Sequence, residues 1–292
     1  MLDKRKEAIH GYLYITPSLI LIMTFSIIPI FMTVFFSLTK YNIMQPPTLI
    51  GFDNYIRMFK DKFFFAAIKN TLFFTAVTVP IQTILSLLFA SVIAEFFRNK
   101  FGDSIKSMMF IPVIASGVLV GALWFTILSP RGVLNLILNA LSIPSVNWLG
   151  SKKTAMLSIC MISIWKNVGY FLVIYYAGIM NISTSMYEAA EVDGANSFQR
   201  FFKITLPSLA DISYLVITLG TIWAFQVFDL VKIMTGGGPG TSTVTLVLTI
   251  YNAAFKEYSM GYACALSTAM LVIIIIISAI QKRFAGTGGA DD

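Results

Sequence analysis

Ionisable and amide side chains set inside apolar sequence are where this chain could do chemistry. A charge within a membrane-length apolar run is costly, so it marks either a pathway or a buried pair. Lys166 falls near the middle of the run Thr154–Met180. Helical spacing places Ser163, Lys166, Asn167 and Tyr170 on one flank of it, with Trp165 at the border beside Gly169. Farther on, Trp223, Gln226, Asp229 and Lys232 follow at i, i+3 spacing and share a drifting stripe. Amide and charged groups hydrogen-bond hydroxyls, and aromatic rings take the flat C–H face of a sugar. The two sets are therefore candidates for a substrate path that could take a solute rich in hydroxyl groups. A plainer alternative stands beside each: Asp229 and Lys232 neutralise each other near the outer interface, and Lys166 pairs with a partner subunit.

Catalysis has little to work with. His10 is the one histidine, which excludes HExxH sites and histidine-based triads. Cys160 and Cys264 both lie inside apolar runs, where no disulfide is expected, and they are too few for a cysteine metal site. No GxxxxGK[ST] occurs, so the chain is not itself a P-loop ATPase, and the glycines of Gly236–Gly240 surround Pro239 as a turn does. No metal or cofactor is expected on the chain, and no basic–aromatic stripe points to nucleic acid.

The elements that position these residues follow from composition. Of 292 residues 57% are hydrophobic and 12% charged, with a mean hydropathy of +0.79. Soluble domains carry about 25% charge, so the shortage here indicates lipid-facing surface. The net charge of +7 reflects flanking anchors. A helical crossing needs about 20 mostly apolar residues. Six runs qualify, at about 12–38, 70–95, 105–129, 154–180, 209–234 and 258–281, and the chain reads as one all-α transmembrane domain. The first run is too long for a cleavable signal core and is expected to be retained. Prolines 17, 29, 80 and 112 fall within spans, residues 132–151 and 241–255 read as interfacial segments, and Phe63, Phe64 and Phe65 read as an interfacial anchor. Lysines and arginines divide evenly between the two sides, so charge alone does not orient the chain, although the clusters at Lys4–Lys6 and Lys282–Arg283 favour both ends inside.

Between the fourth and fifth spans lies NISTSMYEAAEVDGANSFQRFFKITLPSLA. Ser185 and Glu188 have capping-box spacing, which predicts a helix from Met186. Gly194 ends it in a left-handed turn, Asn196 or Ser197 caps a second helix, and Pro207 is expected to stop that helix by Leu206. The result is a helix–turn–helix whose exposed side carries Ala189, Ala190, Phe198 and Phe201. The residues alone allow a docking element or an amphipathic connector.

Glu188-Ala189-Ala190, then Gly194, then Ile204-x-Leu206-Pro207 resembles the EAA signature of permease subunits in binding-protein-dependent ABC importers. The wider phrase YEAAEVDGANSFQRFFKITLP is similar to the carbohydrate-uptake branch, of the maltose and glycerol-phosphate permease type. The likeness extends to TGGGPGTST and WKNVGYF; Asn167 departs from it, standing where the maltose-type permease has glycine. The resemblance implies a six-span permease fold whose 181–208 loop faces the cytoplasm, with both termini there too, in a bacterial cytoplasmic membrane. It implies that Glu188, Ala189, Ala190, Asp193, Gly194, Ile204, Leu206 and Pro207 couple to cytoplasmic ATPases. It also implies partners: a second homologous permease, two ATPase subunits that bind ATP and Mg, an extracytoplasmic solute-binding protein, a sugar substrate and the bilayer. Glycerol phosphate is the alternative substrate. A stand-alone secondary carrier is the alternative class, disfavoured by the lack of repeated halves.

Overall fold

A computed structural model describes residues 14–285. The Lys4–Lys6 cluster, the first two residues of the expected first span, His10 and both chain ends lie outside the described residues. In chain order the elements are α1 (Tyr14–Ser37), the short strands β1 (Thr39–Lys40) and β2 (Thr48–Leu49), α2 (Asp53–Met58), α3 (Lys62–Phe96), α4 (Lys100–Ile114), α5 (Gly117–Ile127) and α6 (Val133–Ala140). They continue with α7 (Ala155–Met180), α8 (Thr184–Val192), α9 (Ser197–Arg200), α10 (Ala210–Phe225), α11 (Asp229–Met234), α12 (Leu246–Tyr251) and α13 (Met260–Ala285). Five helical stretches are long and apolar enough to cross a bilayer, and the bent pair α4–α5 makes a sixth where it counts as one crossing.

Two spans differ from the straight helices the sequence suggests. The third is broken by a 96° bend between α4 and α5. Pro112 removes a backbone donor near the end of α4, Ala115 is extended, and the Ser116 hydroxyl accepts from Leu119 N–H at 3.2 Å to start α5 afresh. The fifth breaks between α10 and α11, with Gln226, Val227 and Phe228 non-helical. Unwound backbone at this depth needs other partners, and the Thr245 hydroxyl donates to the Val227 carbonyl at 3.2 Å. Phe64 also departs from expectation. It is 3% exposed and belongs to the core, while Phe63 and Phe65 on the same turn stay exposed, because a helix cannot turn three consecutive residues to one side.

The described residues pack as two compact units, 14–61 with 250–271, and 62–249 with 272–285. In the first, no residue of the most apolar stretch of α1 is fully buried. Its end is closed by Asn54, buried, whose amide donates to the Ser37 and Thr39 carbonyls at 2.8 and 2.9 Å. The Ser37 carbonyl would otherwise be left over at the helix terminus.

In the second unit α3 and α7 pack along their length, with α4 and α10 against them and α11 against α5. Ser86 of α3 donates to the Val168 carbonyl at 2.9 Å. Gly169 lets α4 approach α7 closely: a Cβ there would overlap the Met109 carbonyl. One apolar cluster centres on Phe74, Ile159, Ile162 and Val231, and another on Phe171, Leu172, Tyr175 and Val216.

Candidate functional site

The loop after α7 is built from its glycine outward. Gly194 has φ +75° with open space around its α-carbon, so conformation alone requires glycine there. Ala195 N–H reaches the Ala190 carbonyl at 2.8 Å and Gly194 N–H the Glu191 carbonyl at 3.0 Å, the pair of bonds that closes a helix on a left-handed residue. Asn196 then caps α9 reciprocally with Gln199, both bonds 2.9 Å.

Two details differ from the sequence reading. The first helix starts at Thr184, not Met186, and no Ser185–Glu188 capping box forms. Ser183 is the cap residue, and the Ser185 hydroxyl pairs with that of Ser183 at 2.7 Å. The second helix also passes through Pro207. After α9 a five-residue π-helical turn, Phe201–Thr205, is followed by helical Leu206–Ser208. Proline sits at the start of that last piece, where its missing N–H has no helical partner to lose.

No residue of α8 is buried, and Glu188, Ala189, Asp193 and Pro207 are exposed. Ala190, Ile204 and Leu206 are half-buried, and Leu206 packs against the Phe171–Tyr175 cluster. Phe201 does the same, so it anchors the loop where an exposed role was expected. The exposed aromatic partner of Phe198 is Phe202, with ring centroids 4.6 Å apart. Sequence reasoning also missed the tie to α3. Arg200 pairs with Glu95 at 2.6 Å and with Glu191 at 3.6 Å, and Ser197 donates to Glu95 at 3.1 Å. Nothing local to residues 181–208 signals a partner about a hundred positions earlier.

The second assembly is a cavity of about 210 Å³ enclosed by α3, α7, α10 and the two helix breaks. Of the candidate path residues, Lys166, Asn167, Trp223, Gln226 and Asp229 line it. Three do not. Trp165 is 47% exposed and packs edge-on against Trp124, with centroids 5.5 Å apart. Tyr170 stands behind Trp223 at 4.8 Å, supporting the indole. Lys232 lies a turn beyond Asp229 on α11 and is not among the lining residues. Thr78 and Gln82 of α3 and Gly117 line the cavity as well, and the sequence reading had not singled them out.

Charge in this cavity is set against helix ends. Lys166 Nζ donates to the Val113 carbonyl at 3.4 Å, at the C-terminal end of α4. The Asp229 carboxylate lies beside Gly117, its Oδ2 2.7 Å from where a Cβ would stand, at the first turn of α5. A helix C-terminus favours a cation and an N-terminus an anion, so the bend in the third span offers each charge its complementary end. Asn167 donates to the Ser163 hydroxyl at 3.4 Å. Together these groups set hydrogen-bonding atoms beside one indole, Trp223, 36% exposed.

Comparison with known proteins follows the same lines. The model of the family "Binding-protein-dependent transport system inner membrane component" matches residues 59–286. Among similar proteins, the probable ABC transporter permease protein YurN of Bacillus subtilis is 35% identical over 97% of this chain and 98% of its own length. The trehalose/maltose transport system permease protein MalF of Thermococcus litoralis is 33% identical, over 94% and 93%. Among solved structures, a permease-length chain of a bacterial ABC transporter involved in import of the acidic polysaccharide alginate has the same fold, with a TM-score of 0.85, 24% identity and 98% of each chain covered. The chain belongs to the binding-protein-dependent transport system inner membrane component family, an integral membrane transport component and not an enzyme.

Proposed function

We propose that this chain is the permease subunit of an ATP-driven importer for a sugar or oligosaccharide. It forms the translocation path with a second, related permease, receives its substrate from an extracytoplasmic solute-binding protein, and engages two ATPase subunits that hold ATP and Mg. The helix–turn–helix of residues 184–208 is the coupling element, so it and both termini face the cytoplasm. The observation that carries this reading is the form of that element. Its first helix has no fully buried residue and leaves Glu188 and Ala189 exposed, yet its second is pinned to α3 through Arg200 and Glu95. An exposed helix with a rigid root transmits a push from a partner to the membrane helices, which a connector lying on lipid has no need to do. ATP-driven association of the two ATPases then favours one orientation of the path, and hydrolysis resets it, because a ligand shifts an equilibrium only through its differential affinity for the two states.

The cavity supports a hydroxylated substrate. Lys166 and Asp229 together leave it without net formal charge, which favours a neutral sugar over glycerol phosphate. Lys166, Asn167, Gln226 and Asp229 offer hydrogen bonds, and Trp223 offers its ring.

The test is Glu188→Lys in the reconstituted complex. Reversing the charge at a docking contact is expected to cut ATP-dependent uptake about tenfold or more, with solute-binding protein affinity unchanged. Wild-type uptake by this variant, or transport by the chain in liposomes without ATPase subunits, defeats the assignment.

A further inference from the structure

The first unit encloses a second cavity that the substrate path does not use. The loop after α1 and the turn before α13 wall off about 650 Å³, within the roughly 300–1,000 Å³ typical of small-molecule sites. Most such sites are chiefly apolar. This one mixes apolar surface with hydroxyls, amides and charges, among them Lys40, Gln45, Asp53, Arg57 and Glu257, and Tyr258 lines it too. Two cations face two anions, so the interior favours an uncharged ligand rich in hydrogen-bonding groups.

One wall is braced by contacts within the chain. Arg57 is held by Glu257 at 3.2 Å and Ser259 at 3.1 Å, and lies 3.9 Å over the Tyr262 ring. The Tyr262 hydroxyl in turn donates to Asp61 at 2.7 Å. Tyr258 keeps a positive φ of 52° with its ring 56% exposed. A large non-glycine residue rarely accepts that conformation unless its surroundings impose it. The backbone is thus held where a flat aromatic face stands open beside the braced wall.

We propose that this cavity is a carbohydrate subsite, taking one or two units of a neutral oligosaccharide. Its hydroxyls bond Gln45, Asp53 and the free donors of Arg57, and one pyranose face rests on Tyr258. Along the chain, one crossing, α10–α11, separates residues 184–208 from the turn before α13. Under the importer reading the cavity therefore lies on the outer side. That placement rests on the proposed function; the binding does not.

The experiment is hydrogen–deuterium exchange on the whole transporter complex in nanodiscs, following peptides across 39–61 and 252–262. Maltotriose, lactose and trigalacturonate serve as probes, up to about 10 mM. Exchange is expected to slow about twofold at the half-saturating concentration of a neutral sugar. Tyr258→Gly relaxes the backbone while deleting the ring, and is expected to weaken protection about tenfold. No protection by either neutral sugar overturns the subsite, as does equal protection in Tyr258→Gly. Equal protection by trigalacturonate overturns the neutral-ligand assignment. Protection by the unliganded solute-binding protein alone makes the surface a protein contact and overturns it too. ATP-dependent uptake, measured on the same preparation, reports separately on the importer reading.

Discussion

Gly169→Ala is the perturbation whose consequence the structure defines most closely. A Cβ at this position would overlap the Met109 carbonyl oxygen and stand 2.5 Å from its carbon, where ordinary contact begins at 3.4 Å. The obstacle is backbone within α4, so no side-chain rotation relieves it. The helices α4 and α7 must part by about an ångström, and overpacking of this kind costs about 1–3 kcal/mol. The same movement reaches the candidate path. Lys166, one turn earlier on α7, holds the Val113 carbonyl of α4 at 3.4 Å, the outer limit of a hydrogen bond. An added ångström breaks it and leaves the lysine to rearrange within the cavity. Thermal unfolding of the complex in nanodiscs at a fixed scan rate should move down by several degrees. Uptake should fall more than it does for a surface substitution of equal stability cost. An unfolding temperature and uptake equal to wild type would refute the close approach of α4 and α7 and the route by which Lys166 is placed.

Other substitutions separate the loop's parts. Gly194→Ala meets open space but must hold φ +75°, a strain of about 1–2 kcal/mol. It should loosen residues 184–200, seen as faster amide exchange there, while Gly194→Asn loses less. Exchange unchanged in Gly194→Ala counts against the left-handed closure. Arg200→Ala removes both of its ion pairs to a partly exposed site, where about 1 kcal/mol is the scale after screening. Global unfolding should hardly move while uptake per ATP hydrolysed falls; preserved stoichiometry would mean that the root of the loop transmits nothing. Asp229→Asn keeps shape and hydrogen-bonding capacity but leaves Lys166 as the cavity's one charge. The prediction is a raised KM for a neutral sugar, measured by uptake, and an unaltered KM would remove Asp229 from the path.

Much of this protein is written locally. Membrane-length apolar runs must be helical because lipid offers backbone groups no partner, and that needs no knowledge of neighbours. Gly194 and Asn196 announce a turn and a cap through their own conformational and hydrogen-bonding chemistry, and the structure uses both. The same local logic misjudged the start of α8, since Ser183 and Ser185 offer competing hydroxyls two residues apart. It also misjudged Pro207, since a π-helical turn just upstream places proline at a fresh helix start.

Residue types alone determined that the chain is a helical membrane protein with an exposed helix–turn–helix, and they marked Lys166 and Asp229 as costly charges in need of a purpose. Only the tertiary structure decided that the two share one cavity, that Gln82 and Thr78 join them, and that Trp165, Tyr170 and Lys232 stand outside it. The reason is rotational. Spacing shows which residues share a face of one helix, but the direction of that face depends on packing against helices distant in sequence and on the breaks at Ala115–Ser116 and Gln226–Phe228, where the periodic count restarts.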